Sequence, residues 1–160
     1  MADYFFYGSL MDADVLSAVA GERIPPARLV PARLPGYERL SASSGVFPII
    51  VAVPPVGGQK NESAPGYLFG RPAPPGAEAG AEGVVVREIG PAAVRRLARY
   101  EGPGYVAAKR PVTTAEGSSE AFVFISLRPG RSSGKAWDFD FWRRRYKRRL
   151  LRALAAEKSA

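Results

Sequence analysis

Apolar residues in this chain gather in short runs of strand length, punctuated by glycine and proline, and in three stretches that keep helical spacing. The first run, Tyr4, Phe5, Phe6 and Tyr7, is aromatic throughout, the pattern of a strand buried on both faces. Gly8 stops it. Ser9 is placed to cap a short helix with Met11, Val15, Leu16 and Val19 on one face. Gly21 to Pro26 is a breaker-rich connection. Ala27 to Leu34 predicts a strand that Pro31 confines to an edge or bulge. Tyr37 to Ser41 predicts another, ahead of the polar turn Ser43, Ser44 and Gly45. Phe47 to Val53, FPIIVAV, is nearly continuous in apolar residues, as a central strand would be.

Pro54 to Ala64 reads as loop and Gly66 to Gly70 as a short aromatic strand. Arg71 to Ala81 is too rich in proline and glycine to be other than a surface connection. Gly83 to Ile89, GVVVREI, is a β-branched strand. Pro91 then opens a helix with Val94, Leu97 and Ala98 on one face and Arg95, Arg96 and Arg99 on the other, ending near Gly102 and Pro103. Val106 to Thr113 and Ala121 to Leu127 predict two strands joined through Glu116 to Ser119, and Arg128 to Gly134 a linker. Asp138 or Asp140 caps a last helix to about Glu157, with Phe139, Trp142, Tyr146, Leu150 and Leu154 in one stripe.

Eight short strands and three helices out of strict alternation argue against a doubly wound sheet and fit an α+β domain on a strongly bent or closed sheet. A barrel would also remove exposed strand edges and leave a mouth for a small ligand. The division expected is a body over residues 1–134 and a basic amphipathic helix packed on it over 135–160.

Composition narrows the chemistry. The 46% hydrophobic share over 160 residues suits one soluble domain. No apolar run approaches the ~20 residues of a membrane span. The N-terminus lacks the basic stretch and cleavage pattern of a secretory signal, so a cytoplasmic location is expected. Cysteine and histidine are both absent, which excludes disulfides, Ser-His-Asp and Cys-His catalysis, and imidazole- or thiolate-bound metals. Acid–base work must fall to Asp, Glu, Lys or Tyr. The formal charge is +8, and eight lysines and arginines lie against three acids between Trp137 and Ala160.

Two stretches could carry chemistry. In DYFFYGSL, Asp3 to Leu10, a strand turning through Gly8 would free the amides of Gly8, Ser9 and Leu10 to converge on an anion; the plainer reading is a tight turn after an edge strand. In RYEGPGY, Arg99 to Tyr105, Glu101 stands at a helix end, where the macrodipole favours cations. It is either a solvated carboxylate before a turn or a carboxylate held in a cavity wall, with its pKa raised by desolvation.

YGSL at Tyr7–Leu10, FPII at Phe47–Ile50, GVVVREI running into a helix, and LARYEGPGY at Leu97–Tyr105, in that order, resemble the γ-glutamylcyclotransferase-like family over about Asp3 to Leu127. The resemblance implies a small mixed β-barrel with flanking helices, and cleavage of a γ-glutamyl amine or peptide with release of 5-oxoproline, without metal or cofactor. By position it implies Glu101 as acid/base, Tyr7, Gly8, Ser9 and Leu10 as the loop gripping the γ-glutamyl group, and Tyr105 lining the pocket. Ala98 departs from the family's usual Asp. The basic C-terminal helix lies outside the shared motifs. It is read as packing Trp142, Tyr146 and Leu150 on the body with its arginines in water, Phe141 and Leu151 broadening the apolar side. The alternative is a non-catalytic binding module whose Arg143–Arg149 segment contacts nucleic acid, an anionic membrane or an acidic partner.

Overall fold

Tyr4, Phe5 and Phe6 are each less than 5% exposed, at 4%, 1% and 3%, and the rest of the chain is arranged on the two sides of the strand they form. The computed structural model describes residues 1–53, 80–127 and 130–159. Within these lie eight strands: β1 (Ala2–Phe6), β2 (Leu29–Leu34), β3 (Tyr37–Ala42), β4 (Pro48–Ala52), β5 (Ala81–Ile89), β6 (Tyr105–Thr114), β7 (Gly117–Ser126) and β8 (Ser132–Ala136). The helices are α1 (Ala13–Ala20), α2 (Pro91–Glu101) and α3 (Phe139–Lys158). Five strands close a barrel in the order β1-β5-β2-β6-β7, and β4-β3-β8 form a separate sheet. The fold is α+β, a small mixed barrel with flanking helices. Closure is made by a parallel pair, Tyr4 with Phe122 and Phe5 with Val123, whereas the other barrel pairs are antiparallel.

The pleat of β1 sends alternate residues into different cores. Phe5 packs with Leu34, Val85, Val112 and Val123 inside the barrel. Tyr4 and Phe6 face the helices, packing with Leu16, Ile89, Leu97, Phe124 and Trp142. Gly83 of β5 makes room for this arrangement, since a Cβ there would collide with the Phe6 carbonyl oxygen and the Phe5 ring.

Several elements differ from the sequence expectation. Phe47–Val53 was expected to be central, but β4 pairs only with β3 at the end of the described sheet order, with Phe47 54% exposed. β2 is not an edge strand. It lies between β5 and β6, and its pairing with β6 begins at Ala32, past the missing amide of Pro31. The linker expected over Arg128–Gly134 contains the start of β8, an all-exposed strand held by main-chain pairing with β3. β5 begins at Ala81, inside the expected connection; residues 54–79, including the strand expected at Gly66–Gly70, lie outside the described residues. Ala98 is exposed, and Ala93 takes the buried place beside Leu97. Asp12, not Ser9, caps α1, its carboxylate accepting from the Asp14 and Val15 amides at 3.0 and 3.2 Å.

The same buried Asp12 anchors α3, receiving Arg143 at 3.3 Å and Lys147 at 2.9 Å. Trp137 and Trp142 join the core on the helix side, and Asp138 caps α3 by accepting from the Phe141 amide at 2.9 Å. No helix among the described residues is long and apolar enough to cross a membrane. Gly83→Ala is expected to lower unfolding stability by at least about 2 kcal/mol, the cost of overpacking a closed core. Urea denaturation checks this, and an unchanged midpoint would contradict the two-core account of β1.

Candidate active site

Past Phe6 the chain leaves the barrel and turns at Gly8, where a Cβ would come 3.1 Å from the Pro48 side chain of β4. Residues Ser9–Met11 make one 3-10 turn. Its hydrogen bonds run from the Met11 and Asp12 amides to the Gly8 and Ser9 carbonyls, at 2.9 and 3.2 Å. The amides of Gly8, Ser9 and Leu10 therefore take no part in the turn's own pairing. The side chains of this loop are committed elsewhere. Leu10 is buried in the helix-side core, and the Tyr7 hydroxyl donates to the Phe124 carbonyl at 2.9 Å. Ser9 Oγ lies 2.9 Å from the Tyr100 hydroxyl, joining the loop to the last turn of α2.

Glu101 is the final residue of α2. Gly102, at φ 95°, ends the helix by donating its amide to the Ala98 carbonyl at 3.0 Å. Two further bonds, Tyr105 N–H to Gly102 at 3.3 Å and Leu127 N–H to Gly104 at 2.8 Å, fold the segment back into β6. Glu101 is half-buried there, and loss of solvation pushes its carboxyl up to about 7. The phenols of Tyr7, Tyr100 and Tyr105 are also raised, by burial first and then by the Glu101 charge. Tyr7, Tyr100, Glu101 and Tyr105 thus form one electrostatic neighbourhood, which Ser9 joins through Tyr100.

Three residues of this region escape sequence reasoning. Tyr100 is an unremarked aromatic until Ser9 is seen opposite it. Asp12 has no signal beyond an ordinary capping position. Arg39, in the half-buried strand β3, donates to the carbonyls of Tyr7 and Glu82 at 3.4 and 3.1 Å and lies 5.2 Å over the Trp137 ring. It braces the end of β1 against the second sheet, and nothing in its neighbours' types marks it.

A surface groove of about 520 Å³ is lined by the polar side of α1 and the Gly21–Pro26 connection, including Asp14, Ser17 and Lys158. It shares no residue with the loop or with Glu101. Glu101 and the phenols its charge acts on lie apart from that groove and are joined to the loop through Tyr100 and Ser9, which makes them the candidates for chemistry. Among the described residues no three acidic side chains gather as ligands for a metal ion.

The model of the family described as Gamma-glutamyl cyclotransferase, AIG2-like matches residues 4–143. The chain belongs to this family. Two solution structures from Arabidopsis thaliana share the fold. One is 20% identical over 95% of this chain and 87% of its own (TM-score 0.60), the other 19% identical over 98% and 81% (TM-score 0.59). A structure titled Gamma-glutamyl cyclotransferase is 17% identical over 82% of this chain and 69% of its own, with a TM-score of 0.53. No curated protein sequence matches. The Gamma-glutamyl cyclotransferase, AIG2-like match takes in the Tyr7–Leu10 loop, Glu101 and Tyr105, and stops at residue 143, near the start of α3.

The Glu101 carboxyl titrates near 4.5 when exposed and near 7 in the folded chain. The folded state therefore holds the extra proton between these values. The stabilisation is complete below about pH 4.5 and is lost as pH rises through about 7. A Glu101→Gln variant is expected to gain on the wild type over that range, reaching about 2 kcal/mol after allowance for solvent screening. Paired urea titrations read the difference, and a gap that does not change with pH would contradict the desolvation. Tyr100→Phe and Ser9→Ala should each cost about 1 kcal/mol and show coupling of similar size in a double-mutant cycle. Additive losses would mean that the hydroxyl pair does not hold the loop.

Proposed function

We propose that this chain is a γ-glutamylcyclotransferase-type enzyme that converts a γ-glutamyl amine or peptide into 5-oxoproline and the free amine, with Glu101 as the proton carrier. The observation that carries the reading is the half-buried carboxylate brought near neutrality beside Tyr7 and Tyr105. Family membership supports the reaction class.

The reaction suits a chain without histidine or cysteine. The substrate's α-amino group is tethered to its own γ-carbonyl, so ring closure needs no nucleophile from the protein. Glu101 takes a proton from the α-ammonium, and the freed nitrogen attacks the carbonyl carbon. As the bond from that carbon to the leaving nitrogen breaks, Glu101 returns the proton to the departing amine, and the ring nitrogen gives up its second proton to solvent, leaving the neutral lactam. A carboxyl near 7 is suited to both transfers, whereas one at the ordinary value would be a weak base and remain ionised when an acid is needed. The amides of Gly8, Ser9 and Leu10 are assigned to the anionic parts of the γ-glutamyl group, and Tyr105 to the pocket wall. Tyr7 holds the strand end through its bond to Phe124 and contributes its ring to the site.

Replacing Glu101 by Gln keeps shape and hydrogen-bonding capacity and removes the titration. Release of 5-oxoproline from γ-glutamyl amines and peptides should fall at least about 10³-fold in kcat, with KM changed by less than about threefold. In the wild type, kcat/KM should rise with pH through about 7 as Glu101 ionises. Undiminished turnover by the variant would remove Glu101 from the mechanism.

A further inference from the structure

The structure sorts the basic residues of α3 into two sets. Arg143 and Lys147 turn toward the body. Arg143 lies 3.3 Å from Asp12 and 3.8 Å from Asp140, and Lys147 lies 2.9 Å from Asp12 and 2.7 Å from Asp14. Arg144, Arg145, Arg148, Arg149 and Arg152 are exposed, and among the described residues none of them forms an ion pair. Arg144, Arg148 and Arg152 follow at intervals of four residues, as do Arg145 and Arg149. They make two neighbouring rows with a step of about 6 Å along the helix. The anchored pair holds the helix on the body while the two rows face solvent.

This division separates the partners that the sequence leaves open. Insertion into a membrane surface needs the apolar face of the helix. Here that face is occupied, with Trp142 buried and Tyr146, Leu150, Leu151 and Leu154 packed against the core. A protein interface needs an apolar centre depleted of charge. The outward rows offer one exposed aromatic, Phe141, at the end of the helix. A chain of phosphates needs neither. Regularly spaced guanidinium groups without internal partners suit it through paired N–H contacts, and Phe141 shares the side of Arg145 and Arg148, where a ring can stack on a base.

We propose that the outward face of α3 binds the phosphate backbone of nucleic acid, independently of base sequence, through Arg144, Arg145, Arg148, Arg149 and Arg152. These residues lie beyond the family match, which ends at residue 143, and the proposal stands apart from the enzymatic reading.

The test is fluorescence anisotropy of the full chain with labelled duplex DNA and with labelled single-stranded RNA of the same length, across a salt series. Binding is expected at about 50 mM salt. The log–log salt slope should be roughly −4.5 on duplex and roughly −3.5 on single strand if all five arginines engage phosphates. Changing the five to Gln, a good helix former, should weaken binding about a hundredfold while circular dichroism stays unchanged. Arg95→Gln with Arg99→Gln, on exposed positions of α2, should leave binding within about twofold. The proposal is overturned by no binding to either oligonucleotide at low salt, by equal binding of the five-Gln variant, or by an equal loss in the α2 variant. It is also overturned by tighter binding to vesicles of mixed phosphatidylserine and phosphatidylcholine than to either nucleic acid.

Discussion

The structure depends on one strand being wanted on both sides. Phe5 fills the barrel from within, while Tyr4 and Phe6 hold the helices from without. The ring of Phe5 and the backbone of Phe6 occupy the space that Gly83 leaves vacant. With β5 on one edge and β7 on the other, β1 has no freedom to slide, because a one-residue slip would exchange the two faces. Its end is therefore a fixed point, and the turn at Gly8 leaves the barrel from a defined place. Arg39 and the Tyr7–Phe124 bond secure that place from two directions.

The second consequence is electrostatic. α2 docks on α1, with Arg96 donating to the Ala20 carbonyl at 3.0 Å, and this sets where its C-terminus stops. The terminus carries Glu101, an acid at the end of a helix dipole that favours the opposite charge, half-buried among tyrosines. A position that raises the free energy of a carboxylate twice over is unfavourable for stability. It is useful where a proton must be taken and given back near neutral pH. The Ser9–Tyr100 hydroxyl pair links this end of α2 to the loop at Gly8.

Much of this is legible in the residue order. The aromatic run predicts a strand with no solvent face, and Tyr4, Phe5 and Phe6 are buried in that way; Tyr7, expected in the same strand, lies just past its end and is half-buried. The end of α2 at Glu101 follows from Gly102-Pro103-Gly104. What escapes is set by tertiary pairing. β8 has the sequence SSGKA, with no large apolar residue to announce it, and exists because β3 offers a row of main-chain partners. FPIIVAV has the content of a central strand but lies at the end of the described order. Pro31 marks an edge by local rules, and the barrel accommodates it by starting the second pairing one residue later. Ser9 and Asp12 both have capping chemistry, but the 3-10 turn over Ser9–Met11 comes first and α1 starts at Ala13, which puts Asp12 at the cap and leaves the Ser9 hydroxyl to pair with Tyr100.

In the enzyme we propose, the amides after β1 and the carboxyl at the end of α2 face one small ligand from opposite sides. A crystal structure of the protein with 5-oxoproline bound tests this most directly. The account predicts the product's carboxylate on the amides of Gly8, Ser9 and Leu10, with its ring nitrogen within about 3.2 Å of a Glu101 oxygen. Product bound in the groove beside α1, or a Glu101 side chain turned away from it into solvent, would contradict the account.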